Sequence, residues 1–226
     1  MKNKIILFLF IFFSSTTLAH IGHYKDLNKV EMEIFRNGEL IGYSYYFFTR
    51  KGDETIVTNQ TKFSIKLLGV TIFHVEGYGE EKYFKDQLIS YNSKTLQNDQ
   101  EKFVNINFDK KNKKLIINGS SYSGEASINN IIGNWWNHKI LQTNTQISPI
   151  SGSIKEQIVT FIGKEKINLY GQNYDVDLFT LKSKNMKLPK DKRLDFDIWY
   201  DRKNSRIIKV SYTRMGNWEY RLKNIE

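Results

Sequence analysis

Between Asn37-Gly38 and Gly216 the chain is cut at short intervals by turn formers: Lys51-Gly52-Asp53, Asp86, Asn98-Asp99, Asn112, Gly163, Gly171 and Asn204-Ser205. Punctuation this dense leaves little room for helices, and the stretches between the cuts carry strand signals instead. Val30, Met32 and Ile34 alternate with Glu31 and Glu33, and that run ends at Asn37-Gly38, the dipeptide best suited to a two-residue hairpin turn. Residues 39–50 supply its partner. A longer run follows over 54–68, with Val57, Phe63, Ile65 and Leu67 on one face. Further strands are expected at 70–84, 87–93, 101–108, 114–118, 156–162, 165–170, 173–182, 194–201, 206–214 and 217–223. The fold class is therefore all-β and mainly antiparallel: a curved meander sheet, or a half-open, barrel-like one, with a single short helix.

That helix is expected around 128–141, where Ile128, Ile131, Ile132, Trp135 and Trp136 could form one apolar stripe. It runs into the stretch GNWWNHKILQTNTQISPISG, residues 133–152, whose paired indoles, imidazole and amides suit either a ligand site or a plug at one end of a β-structure. Neighbouring helical residues point about 100 degrees apart, so one indole should enter the core and the other should be partly exposed or line a mouth. The plug reading is preferred. A second aromatic run, Tyr43-Ser44-Tyr45-Tyr46-Phe47-Phe48, is apolar at both parities, as in a strand with a core on one side and a ligand cavity on the other, or one covered on both sides. The candidate ligand-binding residues are thus Trp135, Trp136, Asn137, Tyr45 and Phe47, and the ligand would be a lipid or an apolar small molecule.

The N-terminus carries an export signal. Lys2 and Lys4 precede an apolar run of nine residues, Ile5 to Phe13, and a small polar stretch ends at Thr17-Leu18-Ala19. A membrane-spanning helix needs about 20 apolar residues, so residues 1–19 read as a cleaved signal peptide and 20–226 as one β domain. The expected location is the periplasm or envelope of a Gram-negative bacterium. With no cysteine, the fold has to be held by its core alone. The formal charge of +10 drops by two when Lys2 and Lys4 leave. Of the 34 basic residues 27 are Lys, scattered through the chain, whereas phosphate readers cluster Arg. Nucleic acid is excluded as a partner, and a general attraction to an anionic membrane surface is retained. A transmembrane barrel is excluded too, because Lys62, Lys66 and Lys209 interrupt the apolar faces.

Three groups of residues give the chain a likeness. Ile65-Lys66-Leu67-Leu68-Gly69-Val70, then Trp136-Asn137 with Ile140-Leu141, and finally Asp197-Ile198-Trp199-Tyr200-Asp201 with Trp218 and Tyr220-Arg221-Leu222 resemble a bacterial family of exported proteins described only as a domain of unknown function. The resemblance covers nearly all of the chain after residue 19, and the Asp-Ile-Trp-Tyr-Asp hairpin is also similar to a broader uncharacterised family of periplasmic β proteins. It implies a curved or barrel-like antiparallel sheet in the cell envelope and brings no substrate. The chain departs from the family's polar Thr-Gln-Thr-Gly pattern at Asn144-Thr145-Gln146-Ile147-Ser148-Pro149.

Few residues suggest chemistry. Asp195, Asp197 and Asp201 share a strand face with Trp199, but carboxylates two apart on a sheet are commonly solvated and answered by bases next door, here Lys209 or Arg202. If cleavage follows Ala19, His20 would offer an α-amine and an imidazole to copper, with His23, His74 or His138 as a third ligand. No Gly-x-Ser-x-Gly, His-Glu-x-x-His, phosphate loop or cysteine nucleophile occurs. The expectation is a non-enzymatic exported protein with no catalytic residues, metal or cofactor, holding an apolar ligand or an envelope partner. The alternative is a copper protein or hydrolase using His20 or the Asp195/Asp197 face.

Overall fold

The computed structural model describes residues 24–226, so the expected signal peptide, His20 and His23 lie outside the described residues. Fifteen strands form one sheet: β1 (Lys29–Arg36), β2 (Glu39–Lys51), β3 (Glu54–Leu67), β4 (Val70–Phe84), β5 (Gln87–Gln97), β6 (Gln100–Asp109), β7 (Lys114–Gly119), β8 (Ser123–Ser127), β9 (Ile131–Ile132), β10 (Thr145–Ile147), β11 (Ile154–Leu169), β12 (Gln172–Ser183), β13 (Asp195–Asp201), β14 (Arg206–Thr213) and β15 (Asn217–Ile225). Two meanders, β1 to β8 and β15 back to β9, are joined edge to edge where β1 pairs with β15. All pairs are antiparallel except β9 with β10. The sheet is not closed, since β8 and β9 end it without bonding to each other.

The strands agree with the turn chemistry that delimits them. Asn37-Gly38, Leu68-Gly69, Tyr170-Gly171 and Met215-Gly216 each adopt two successive positive φ angles, the backbone that matches the twist of flanking strands in a two-residue hairpin. Gly163 does not turn the chain. It sits at a register shift between Phe161 and Gly163, and the runs expected at 156–162 and 165–170 are one strand, β11. Strands β8, β9 and β10, too short for a periodic signal, were not expected.

The helix expected over 128–141 does not form. Ile131 and Ile132 are both buried and pair in parallel with Gln146 and Ile147, where β-branched side chains pack well. At Gly133 a Cβ would lie 1.9 Å from Gln146 Oε1, so the chain passes there only because glycine has no side chain. What remains is a 3-10 turn, His138–Leu141, capped by Asn137, whose Oδ1 accepts from Lys139 N at 3.0 Å.

Strand periodicity decides what lies inside the curve. On β2 the buried set is Ser44, Tyr46 and Phe48, on β4 it is Val75, Gly79, Glu81 and Tyr83, and on β5 it includes Tyr91, Ser93 and Thr95. The segment 133–153 runs against these inner faces: Trp135 N donates to Tyr46 Oη at 3.4 Å, and Pro149 O accepts from Tyr91 Oη at 3.0 Å and Ser93 Oγ at 2.7 Å. It divides the interior into a packed end and an open end.

Candidate functional site

At the packed end Trp136 is buried and meets Tyr24, Phe48 and Tyr83 edge-on, with ring centroids 5.2, 5.4 and 6.1 Å away. Its Nε1 donates to Glu81 Oε1 at 2.9 Å, and Asn134 Nδ2 reaches the same oxygen at 2.5 Å. Tyr83 Oη donates to Oε2. Burial pushes the Glu81 carboxyl above its ordinary value, and the three donors oppose that push without cancelling it. A second buried network fixes the rest of the segment. Gln157 Nε2 donates to the carbonyls of Ile140 and Thr143, both at 2.9 Å, and Gln157 Oε1 accepts from Gln146 Nε2 at 2.5 Å. His138 donates its backbone N–H to Tyr24 Oη at 3.0 Å, and its ring Nδ1 meets the same hydroxyl. Glu81, Tyr83, Phe48 and Gln157 tie the segment to strands β4, β2 and β11, and Tyr24 ties it to the stretch before β1, as a plug requires.

Above the plug the interior opens into a cavity of about 610 Å³, within the range of sites that hold small molecules. One wall is a continuous series of aromatic rings. Trp135 packs on Phe196 at 5.1 Å, Phe196 on Tyr212 at 5.3 Å, Tyr212 on Trp218 at 5.6 Å, Trp218 on Phe63 at 5.4 Å and Phe63 on Phe73 at 6.1 Å. Beside the rings the lining is polar but uncharged. Ser44 Oγ and Thr61 Oγ1 are 2.7 Å apart, Asn59 Nδ2 donates to Ser44 Oγ at 3.1 Å, and Ser93 and Thr95 continue the row. Burial raises the Tyr46 phenol to about 12, so it stays a neutral hydroxyl below the aromatic wall.

Charge appears only at the mouth. Arg36 and Arg214 line it, with Arg36 donating to Met215 O and Arg214 Nη2 to Arg193 O at 3.0 Å. Arg36 Nε is buried and has no hydrogen-bond partner among the described residues. The arrangement can take up an elongated apolar body along the rings and meet an anionic or polar head at the rim. Another hollow, about 1130 Å³, lies beyond the plug between the β4–β5 turn and residues 128–144. It is lined largely by polar turn residues such as Asp86, Asn129, Asn130 and Gln142 and holds no comparable aromatic wall.

Of the residues expected to contact a ligand, Trp135 alone lines the cavity. Trp136 is buried in the plug beneath it, and Asn137, also buried, borders the hollow on the plug's other side. Tyr45 and Phe47 occupy the outer face of β2, where Lys29 lies over both rings, because the alternation puts Ser44, Tyr46 and Phe48 inside. The expected aromatic pair is therefore corrected by one position, to Tyr46 and its inward neighbours. Asp195 and Asp197 are also outward: Asp195 pairs with Lys182 at 3.6 Å, and burial, then Asp195, raises the Asp197 carboxyl. The bases expected to answer them bind elsewhere, Lys209 to Glu219 at 2.6 Å and Arg202 to Asp177, its Nε donating at 2.7 Å. Among the described residues no three His, Cys, Asp or Glu side chains gather as a metal site would require.

Ser44, Asn59, Thr61, Phe63, Phe196 and Trp218 escaped the sequence reading as site residues. Their signal was present in the phase of the alternation: on β3 the inward positions run Asn59, Thr61, Phe63, with Ser44 paired to Thr61 across the ladder.

Comparison with known proteins places this geometry in context. A family model described as Domain of unknown function (DUF6134) matches residues 32–223. No functionally curated protein matches. The crystal structure of a beta-barrel-like protein of domain of unknown function DUF1849 from Brucella abortus is similar over 88% of this chain and 96% of that one, with a TM-score of 0.59 at 7% identity. A DUF1329 family protein from Desulfovibrio piger aligns over 91% of this chain and 88% of that one at 12% identity, with a TM-score of only 0.23. The first likeness shows a shared barrel-like fold and nothing about activity.

Proposed function

The chain belongs to the DUF6134 family, and since that membership brings no activity with it, we propose from the geometry that this is a non-enzymatic binding protein holding the apolar chain of an amphipathic ligand, a lipid foremost, in its β-cavity. The observation that carries the reading is the unbroken series of rings from Trp135 at the floor to Phe73 near the mouth, in a cavity whose remaining lining is polar but uncharged up to its rim. Rings packed on one another in this way, mostly edge to face, offer apolar area with little side-chain entropy left to lose. Arg36 and Arg214 stand where the head of such a ligand would emerge, and both are cations at any physiological pH. Export to the periplasm or envelope, from the Lys2–Ala19 signal, completes the proposal, because carriers of apolar chains are needed where a membrane faces an aqueous space.

The test is extraction of the purified protein with organic solvent, mass spectrometry of the extract, and titration of the stripped protein with a fluorescent fatty acid. Co-purifying lipid and saturable uptake, about tenfold weaker in Trp135→Ala, are expected. An empty cavity that takes up no acyl probe would overturn the reading. Bound copper at a 1:1 ratio would favour the His20 alternative instead.

A further inference from the structure

We propose that the open end of the barrel is a docking surface for an anionic lipid bilayer, seating the cavity mouth on the membrane. What passes through the mouth rests on the ligand reading above; the docking itself does not. The β1–β2, β3–β4, β5–β6 and β14–β15 turns meet at this end, as the registers Arg36↔Glu39, Arg36↔Trp218, Leu67↔Val70 and Gln97↔Gln100 require. Two of these turns carry apolar residues at their tips. Leu68 is 96% exposed and Met215 is 89% exposed, and Leu40, Leu67, Val70 and Ile72 around them are all more than half exposed.

Turn chemistry does not account for those tips. Leu68 and Met215 have φ of 51° and 49°, a backbone that suits Asn, Asp or Gly. At the same end Asn37 fills the equivalent position, and at the far end Tyr170 does, but its ring is held by Glu33 and Lys223, as Leu68 and Met215 are not. Two hairpins thus place a large apolar side chain in a conformation that disfavours it, in full contact with water. Folding gains nothing from this arrangement, whereas entry into an acyl layer would bury both side chains. The rim has the complementary charge. Arg36 and Arg214 are in the mouth, and Lys66, Lys184, Lys187, Lys190 and Lys192 are exposed at this end, against Glu39, Asp99, Glu101, Asp191 and Asp195. An apolar tip ringed by an excess of bases is what attraction to anionic headgroups followed by shallow insertion needs.

The experiment is flotation of the purified protein with phosphatidylcholine vesicles, with and without phosphatidylglycerol, alongside the variants L67D/L68D and W135A. Residues 67 and 68 do not line the cavity, so their exchange leaves uptake of a fluorescent fatty acid intact, which also reports that the variant is folded. Binding to the anionic vesicles is expected, weakening as salt rises, and L67D/L68D should bind at least about tenfold less. W135A should float as the wild type does while taking up less fatty acid. Flotation that is indifferent to phosphatidylglycerol, or unchanged in L67D/L68D, overturns the docking proposal and leaves the ligand reading standing. So does a solution dimer that L67D/L68D splits in the absence of vesicle binding, since the tips would then be a contact between two copies. Absence of fatty-acid uptake by the wild-type protein, with flotation intact, would sink the ligand reading alone.

Discussion

The indole of Trp136 donates a 2.9 Å hydrogen bond to the carboxylate of Glu81, while Trp135, the next residue, turns the other way to form the cavity floor against Phe196. The chain passes between them as an irregular segment, yet the two indoles divide as they would on a helix. Truncating them should have different consequences. Trp136→Ala removes a buried indole and three aromatic contacts, and should cost about 3–5 kcal/mol in urea unfolding. Trp135→Ala should cost clearly less, and its main effect should appear in ligand titration.

Glu81 is expected to be costly when charged and costly to remove. Glu81→Ala leaves the Trp136, Asn134 and Tyr83 donors without an acceptor and should lose about 3–5 kcal/mol. Glu81→Gln keeps an acceptor oxygen for the indole and the amide, and Nε2 can donate to the Tyr83 hydroxyl, so it should be far milder. The pH dependence follows from the raised carboxyl. Because the folded state holds this proton more tightly than the unfolded state, the group's contribution is fully present below the ordinary value of 4.5 and is lost as pH rises through the raised one. Chemical denaturation of wild type and Glu81→Gln across the acid range should show that decline in the wild type only.

Gly42 and Gly133 mark where the fold tolerates no side chain. A Cβ at Gly42 would lie 2.1 Å from the backbone oxygen of Lys62 and 2.5 Å from Phe63 Cα, in a ladder that cannot give way. At Gly133 the obstacle is the Gln146 amide, 1.9 Å away and held by Gln157. Gly42→Ala should therefore be the worse of the two, costing about 1–3 kcal/mol or more. Thermal melting of both single variants checks the order.

The strands were legible because their signals are local: an alternating face and a turn dipeptide at each end. The plug was not. Ile131 and Ile132 satisfied a helical stripe and a strand equally well, and the choice was made by Gln146 and Ile147, more than ten residues away. Tyr45 and Phe47 failed for a related reason. The run Tyr43 to Phe48 is aromatic at both parities, so its own pattern cannot say which parity faces inward, and the neighbouring strands decide. Trp135 and Trp136 were legible as a divided pair, since any compact backbone sends adjacent side chains in different directions.

A last prediction concerns the inward glycines of β4. Gly77 lines the cavity between Thr61 and Thr95, and a Cβ there would meet the Thr95 side chain, with Oγ1 at 3.3 Å and Cγ2 at 3.7 Å, and the Lys94 carbonyl at an ordinary 3.9 Å, in a backbone region open to any residue. Gly79 is different, because its space is already taken by the Tyr91 hydroxyl at 3.0 Å. Gly77→Leu should therefore fold, since a strand gains from exchanging glycine for a side chain with room to pack. Its isobutyl group would project into the 610 Å³ volume and shorten the path along the rings. Fluorescent acyl probes of increasing chain length should separate the two effects: short chains bound nearly as in the wild type, long chains about tenfold or more weaker, with the melting temperature held. Equal loss at all lengths, or none at any, would mean that the chain does not lie along this wall.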